Sequence, residues 1–254
     1  MLLAIDVGNT QTHIGAFDGN DLVEHWRFAT DGEDTADELA VRVTSLLGLR
    51  GLELATVDGS IVSSVVPRLN PEYQRMCAEY LDGRYLMVGP GVKTGMAVRL
   101  DNPHELGADR LVNAVAAFEK YGGPCAVVDF GTAITFDAIS GEGDYLGGVI
   151  GPGVQISMDA LTERAARLPK VDLAEPGDVI GRTTQASIQS GMVYGFAGAI
   201  DAIARRIIGE LGDGTQFIAT GGMATGIVPY CDTEVAVDDL LTLDGLKLIW
   251  ERNV

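Results

Sequence analysis

Near its N-terminus the chain reads Leu2-Leu3-Ala4-Ile5-Asp6-Val7-Gly8-Asn9-Thr10. The apolar residues around Asp6 predict a strand buried on both faces, where a lone carboxylate is costly unless it is paired or meets a cation. Gly8 allows the backbone to approach a ligand closely, and the two residues after it carry an amide and a hydroxyl. A second strand pattern follows at residues 12–17. The stretch therefore predicts a hairpin whose turn presents polar groups to a phosphate and its metal ion.

The same pattern occurs again in mid-chain, in the run Cys125-Ala126-Val127-Val128-Asp129-Phe130-Gly131-Thr132-Ala133-Ile134-Thr135-Phe136-Asp137. One D-x-G-x-T turn is a weak signal, because turns rich in Gly, Asn and Thr are common without any ligand. Two copies predict a duplicated molecule in which Asp6 and Asp129 converge on one cleft that suits a nucleotide with its metal. The predicted domains are residues 1–117 with the first hairpin and residues 118–254 with the second.

The remaining sequence alternates strands with helices, which predicts an α/β fold with mixed sheets. Further strands are predicted at residues 23–28, 59–66, 85–88, 145–150 and 217–220, and helices at 34–48, 71–81, 111–120, 154–167 and 183–211. The last of these helices carries Gly191, Gly195 and Gly198 on or near one face, which predicts close packing against another element.

Asp109 is predicted near the N-terminus of the helix at 111–120. Two interpretations are open at this position. The carboxylate could only cap the helix or complement its dipole, for which Asp is a favoured residue. Alternatively, it could take part in chemistry at the predicted cleft.

The chain is strongly acidic, with 36 Asp and Glu against 18 Lys and Arg and a net charge of −18. A surface of that sign disfavours nucleic acid and anionic membranes as partners. An anionic substrate would then depend on metal ions or on local positive groups.

Neither a membrane segment nor a disulfide framework is predicted. Asp6 cuts the N-terminal apolar run short, and the apolar stretch 192–200 is too short to span a bilayer. The three cysteines are widely spaced and form no C-x-x-C motif, so a zinc site is not indicated either. This pattern favours a reducing, cytoplasmic setting.

Several short motifs, each weak alone, occur together in a fixed order along the chain. They are Asp6-Val7-Gly8-Asn9-Thr10, Ser63-Ser64-Val65-Val66-Pro67, Asp101-Asn102-Pro103, Gly107-Ala108-Asp109-Arg110, Asp129-Phe130-Gly131-Thr132-Ala133, Gly147-Gly148-Val149-Ile150-Gly151-Pro152-Gly153, Thr220-Gly221-Gly222 and Leu241-Thr242-Leu243-Asp244-Gly245-Leu246. The set resembles type III pantothenate kinase essentially from end to end.

The resemblance implies the actin-like ATPase and sugar kinase superfold, with two duplicated ribonuclease-H-like domains and ATP between them. It also implies transfer of phosphate from ATP to pantothenate, giving 4'-phosphopantothenate, the first step of coenzyme A synthesis. The resemblance further implies a homodimer that needs Mg²⁺ and a monovalent cation, K⁺ or NH₄⁺.

The resemblance also implies roles for individual residues. ATP binding falls to Asp6, Val7, Gly8, Asn9, Thr10, Gln11, Thr12, His13 and Thr132, with Asp6 also serving Mg-ATP, and pantothenate binding falls to Gly107, Ala108, Asp109, Arg110 and Thr184. Asp109 is the implied proton acceptor, and Asp129 the implied ligand of the monovalent cation. The chain departs from the family pattern at Leu100, where the family usually carries a substrate-contacting Tyr.

The chemistry of these residues agrees with phosphoryl transfer. Neither hairpin turn contains Lys or Arg, so metal ions, backbone N–H groups and hydroxyls must neutralise the phosphate charge. Two alternatives remain. One is a related small-molecule kinase of the same superfold, since the phosphate hairpins serve them all. The other is a non-catalytic ATP-binding regulator, which retention of Asp6, Asp109 and Asp129 disfavours.

Overall fold

The structure, a computed structural model, describes residues 1–254. The chain divides into two compact units. The first comprises Met1–Gly95, Asn102–Ala116 and Leu241–Val254, and the second comprises Met96–Asp101 and Ala117–Leu240. Each unit contains one five-stranded sheet with helices packed on it.

The first sheet has the strand order β3-β2-β1-β4-β5. Its strands are β1 (Leu2–Val7), β2 (Gln11–Asp18), β3 (Asp21–Ala29), β4 (Gly59–Ser64) and β5 (Arg84–Met87). The first three strands form an antiparallel meander, and β4 and β5 continue the sheet parallel to β1.

Helices cover both faces of this sheet. They are α1 (Ala36–Gly48), α2 (Asn70–Tyr80), the first turns of α3 (Ala108–Tyr121) and the C-terminal α7 (Leu241–Glu251). Helix α1 begins with a capping box, in which the Thr35 side chain accepts from the Glu38 N–H and the Glu38 carboxylate accepts from the Thr35 N–H. This pairing satisfies two N–H groups that a helix start leaves free.

The second sheet has the strand order β10-β9-β6-β7-β8. Its strands are β6 (Cys125–Phe130), β7 (Ala133–Ile139), β8 (Tyr145–Pro152), β9 (Gln216–Thr220) and β10 (Val235–Val237). It repeats the first sheet: a three-stranded antiparallel meander, then two strands parallel to the first strand of the meander. The predicted duplicated α/β fold is therefore confirmed.

The helices of the second unit include α4 (Val154–Arg164), the long α5 (Thr184–Leu211) and the short α6 (Ala224–Ile227). Apolar residues of β6, β7 and β9 form a core with these helices. No helix in either unit combines the length and the apolar character that crossing a bilayer requires.

The structure differs from the sequence prediction in a few places. Helix α3 begins at Ala108 instead of 111, so Asp109 lies within its first turn. Helix α4 ends at Arg164, three residues before the predicted end, because Ala165 takes up an extended conformation. The three-residue edge strand β10 was not predicted.

The compact units also differ from the predicted contiguous domains. Helix α7 packs on β1, β2 and β4 of the first sheet, although its sequence follows the second unit. Gly15 and Gly59 make this possible, since a Cβ there would lie 2.9 Å from Leu243 Cδ1 and 2.3 Å from the Trp250 ring, respectively.

Candidate active site

The first predicted site residue, Asp6, lies near the end of β1 in a row of polar residues. It is directly opposite His13 on β2 and Ser63 on β4, and His13 is opposite Arg27 on β3. The Ser63 hydroxyl donates a hydrogen bond to Asp6 Oδ1.

The electrostatic environment of Asp6 favours the protonated carboxyl. Burial raises its pKa to about 7; the hydrogen bond from Ser63 opposes this rise, and the negative charge of Asp109 adds to it. Protein groups therefore compensate little of the negative charge of the Asp6 carboxylate. A cation bound beside it would supply the missing compensation.

The turn that follows Asp6 is stabilised by backbone contacts while its polar side chains face outward. The Gly8 N–H donates to the Gln11 carbonyl over 3.1 Å, and a Cβ at Gly8 would lie 2.9 Å from that oxygen. The Thr30 N–H donates to the Thr10 carbonyl over 3.0 Å. Residues 9–11 are exposed, so the turn lies at the surface of the unit, where a ligand can reach it.

His13 does not supply a positive charge to this turn. Burial, with the neighbouring charges of Arg27 and His25, lowers the His13 pKa to about 3, and the ring is neutral at physiological pH. Its Nε2 lies 3.1 Å from His25 Nδ1. Thr12, one residue earlier, lies on the opposite face of the sheet, where its hydroxyl is 2.9 Å from that of Thr30. Compensation of phosphate charge at the turn must therefore come from other groups.

Asp109 lies in the first turn of α3, and its carboxylate makes a helix-capping contact. Oδ1 accepts a hydrogen bond from the Arg110 N–H over 2.8 Å. Burial raises the Asp109 pKa; the Arg110 N–H, the Arg110 charge and the N–H of Asp109 itself oppose the rise. A Cβ at Gly107 would lie 2.5 Å from Asp109 Oδ1, so only glycine leaves room for this carboxylate position.

The second hairpin turn is enclosed by two glycine-containing segments. Asp129 on β6 is opposite Thr135 on β7 and Thr220 on β9. Gly221 has φ +91°, and a Cβ there would lie 2.6 Å from Asp129 Oδ1. The start of α4 covers the same turn, because a Cβ at Gly153 would lie 2.3 Å from the Thr132 carbonyl oxygen.

The predicted site residues are thus divided between the units. The first unit brings Asp6–His13 together with Gly107–Arg110, as the effect of Asp109 on the Asp6 pKa indicates. Asp129 and Thr132, together with Leu100 and Thr184, belong to the second unit.

Leu100 and Thr184 occupy contrasting positions in that unit. A Cβ at Gly147 would lie 3.5 Å from Leu100 Cδ2, so Leu100 packs beside β8. Thr184 is exposed in the first turn of α5, directly after Thr183, whose hydroxyl accepts from the Ala186 N–H.

Two residues that the sequence reasoning did not assign lie beside the predicted carboxylates. Ser63 and Thr220 occupy matching positions, each on the parallel strand next to an Asp. The signal was present in the sequence, since each is a hydroxyl residue at the end of an apolar strand, but only the register brings it to the carboxylate.

The repeated sheets and their Asp-containing turns define the actin-like ATPase and sugar kinase fold. An archaeal actin homologue aligns with a TM-score of 0.55 and 13% identity, covering 99% of this chain and 99% of that one. A Sinorhizobium meliloti protein assigned as a 2-dehydro-3-deoxygalactonokinase aligns with a TM-score of 0.61 and 13% identity, covering 99% and 96%. These similarities concern the fold alone.

The sequence comparisons define the family. The sequence model described as type III pantothenate kinase matches residues 2–206. A type III pantothenate kinase of Anaeromyxobacter sp. (strain Fw109-5) is 52% identical over 253 residues, covering all of both chains. The chain belongs to the type III pantothenate kinase family. It is an ATP-using kinase that phosphorylates pantothenate in coenzyme A synthesis.

Proposed function

We propose that Asp109 accepts the proton of the pantothenate hydroxyl while the turn at residues 6–13 holds the phosphates of ATP. One observation carries this proposal: the first unit places two carboxylates, Asp6 and Asp109, in half-buried positions close enough for the negative charge of Asp109 to raise the pKa of Asp6. Holding two carboxylates near each other away from water destabilises the folded state. A role for both in a kinase site explains why the fold keeps them together.

The proposed chemistry needs only a modest base. In a loose phosphoryl-transfer transition state the attacking hydroxyl keeps its proton until late, so catalysis is mainly positioning and charge stabilisation. Because burial raises the pKa of Asp109, its carboxylate is a better proton acceptor than an exposed one. Arg110 beside it can bind the pantothenate carboxylate through two parallel N–H groups.

Charge neutralisation at the phosphates is assigned to Mg²⁺ that arrives with ATP. No cluster of three or more His, Cys, Asp or Glu side chains forms a ready metal site, and Mg²⁺ is commonly held by one or two carboxylates plus substrate phosphates. The weakly compensated carboxylate of Asp6 fits that arrangement. When bound, the ion supplies compensation for the negative charge that moves during transfer.

The monovalent cation, K⁺ or NH₄⁺, is assigned to Asp129. Two observations support this assignment. Asp129 lies near the end of a buried strand. The close packing of Gly153 on the turn after that strand brings backbone carbonyl oxygens to the same place. Carboxylate and carbonyl oxygens are the groups that bind hard cations.

The remaining assignments concern the acceptor side. Leu100 and Thr184 are proposed pantothenate contacts, and the protein is proposed to be a cytoplasmic homodimer. Helix α5 supports the dimer, because Gly191, Gly195 and Gly198 are exposed and a Cβ at any of them would meet nothing within 4 Å. That face of α5 can therefore accept a closely packed helix.

A coupled ADP-release assay tests the proposed function. Pantothenate and a panel of sugars and small alcohols are each offered with Mg-ATP, with and without K⁺. We expect ADP release with pantothenate and stimulation by K⁺. Equal rates with another acceptor, or the same release with no acceptor, would contradict the proposal.

A further inference from the structure

The motif at residues 63–67, at the end of β4, has no part in the function described so far. Its first residue, Ser63, is fully buried, with 0% of its surface exposed. It lies on a strand held between β1 and β5, in parallel register with Asp6, and its hydroxyl donates to Asp6 Oδ1.

We propose that Ser63 is a positioning residue that fixes the orientation of the Asp6 carboxylate for the cation carried by the nucleotide. The proposal rests on the proposed role of Asp6 in binding Mg-ATP. The terminal torsion of an Asp side chain is broad and nearly two-fold, so the two oxygens exchange places easily. A donor from a rigid strand that binds Oδ1 leaves Oδ2 for the ligand.

The other polar groups near Asp6 do not perform this task. His13 is neutral and its ring contacts His25, and Asp109 repels the Asp6 charge. The neighbouring Ser64 has a different function, since its hydroxyl accepts from the Val66 N–H over 3.1 Å and shapes the turn after β4. Thr220 stands opposite Asp129 at the matching position of the second sheet, so both halves place a hydroxyl residue beside the strand-end carboxylate.

Calorimetric titration of the full-length protein with Mg-ATP, without pantothenate, tests the proposal. Partners that orient metal ligands typically account for 10–100-fold in metal affinity. We therefore expect Ser63→Ala and Ser63→Cys to raise both the Kd for Mg-ATP and the half-saturating Mg²⁺ concentration by about 10–100-fold. Ser63→Thr, which keeps the hydroxyl, should bind much more like the wild type.

Ser60→Ala is the matched control. Ser60 is a buried serine of the same strand, 1% exposed, and its place three residues earlier puts it on the opposite face of the sheet. Ser60→Ala removes a hydroxyl oxygen, as Ser63→Ala does, but at a position that does not contact Asp6. The affinity of this variant for Mg-ATP should therefore not change. The Cys variant leaves almost no cavity and replaces the hydroxyl with a thiol, a much weaker donor, which separates weakening of the donor from loss of packing.

Two results would overturn the proposal, and they are distinguishable. If Asp6→Ala weakens Mg-ATP binding but folded Ser63→Ala and Ser63→Cys bind like Ser60→Ala, the positioning role is wrong and the role of Asp6 stands. If Asp6→Ala itself binds Mg-ATP normally, the proposed role of Asp6 fails, and the positioning role fails with it.

Discussion

Replacing Asp6 with Asn should make the metal-free protein more stable while removing its ability to bind Mg-ATP. The charged form of Asp6 is disfavoured by burial and by Asp109, and its pKa is raised from 3.8 to about 7. An amide of the same shape escapes this cost and can still accept the hydrogen bond from Ser63.

The magnitude follows from proton linkage. A rise of about three pKa units corresponds to a ceiling of about 4 kcal/mol near pH 8, at about 1.4 kcal/mol per unit. Relaxation and water penetration reduce such penalties in real proteins, so we expect a gain of about 1–3 kcal/mol. Because the folded-state pKa is raised, the stability contributed by this carboxyl is fully present below about pH 4 and is lost as the pH rises through about 7. The advantage of Asn should therefore shrink to under about 1 kcal/mol near pH 4.

Urea unfolding of wild type and Asp6→Asn, with EDTA and without nucleotide, measures this at several pH values. Asp18→Asn, an exposed position on β2, is the control for loss of one negative charge. A variant that is less stable than wild type at pH 8, or a gain in stability that does not depend on pH, would show that the ionised Asp6 carboxylate does not destabilise the fold.

Three further predictions concern the second unit. Asp129→Ala should abolish stimulation by K⁺ or NH₄⁺ in the ADP-release assay while leaving the circular dichroism spectrum unchanged; normal stimulation by either ion would remove the cation assignment. Sedimentation velocity should show a dimer of the 26.8 kDa chain, and Gly195→Glu on the exposed face of α5 should shift it towards monomer, whereas a fully active wild-type monomer would exclude the dimer. Asp201→Ala should cost about 1.5–3 kcal/mol in urea unfolding, since its carboxylate accepts from the Asp232 and Thr233 N–H groups. Burial raises the Asp201 pKa, but these hydrogen bonds outweigh the effect of burial and lower the pKa overall. The stability lost in Asp201→Ala should therefore diminish as the pH falls below about 4. A stability loss that does not change with pH would contradict its assignment to these hydrogen bonds.

The duplicated hairpins were predictable because their signals are local. A strand buried on both faces, an Asp at its end and a glycine-containing turn are all read within about a dozen residues, and both copies folded as expected. The sheet order around them follows the same repeated pattern.

The start of α3 and the position of α7 were harder to predict for physical reasons. The apolar period of α3 begins at Leu111, whereas its first turn is stabilised by the Asp109 side chain, which carries no apolar signal. The packing of α7 on the first sheet depends on Gly15 and Gly59, which lie 228 and 191 residues before their partners Leu243 and Trp250 (243 − 15 and 250 − 59).

The link between Ser63 and Asp6 is non-local in the same way. It spans 57 residues and depends on the register of β1 and β4. A sequence pattern can identify each strand, but the residue pair follows only once the two strands are aligned.

Turnover of pantothenate by Asp109→Asn distinguishes a proton acceptor at Asp109 from a residue that only stabilises the start of α3. An Asn side chain can still accept the hydrogen bond from the Arg110 N–H and loses only the favourable charge near the helix N-terminus, about 0.3–1 kcal/mol, so the variant should melt near wild type and bind ATP with unchanged affinity. It has no carboxylate to accept the hydroxyl proton, and loss of a positioned proton acceptor lowers rates by about 10²–10⁴-fold. We predict a kcat at least about a hundredfold below wild type. Near-normal turnover in this variant would reduce Asp109 to a helix cap and contradict the proposed mechanism.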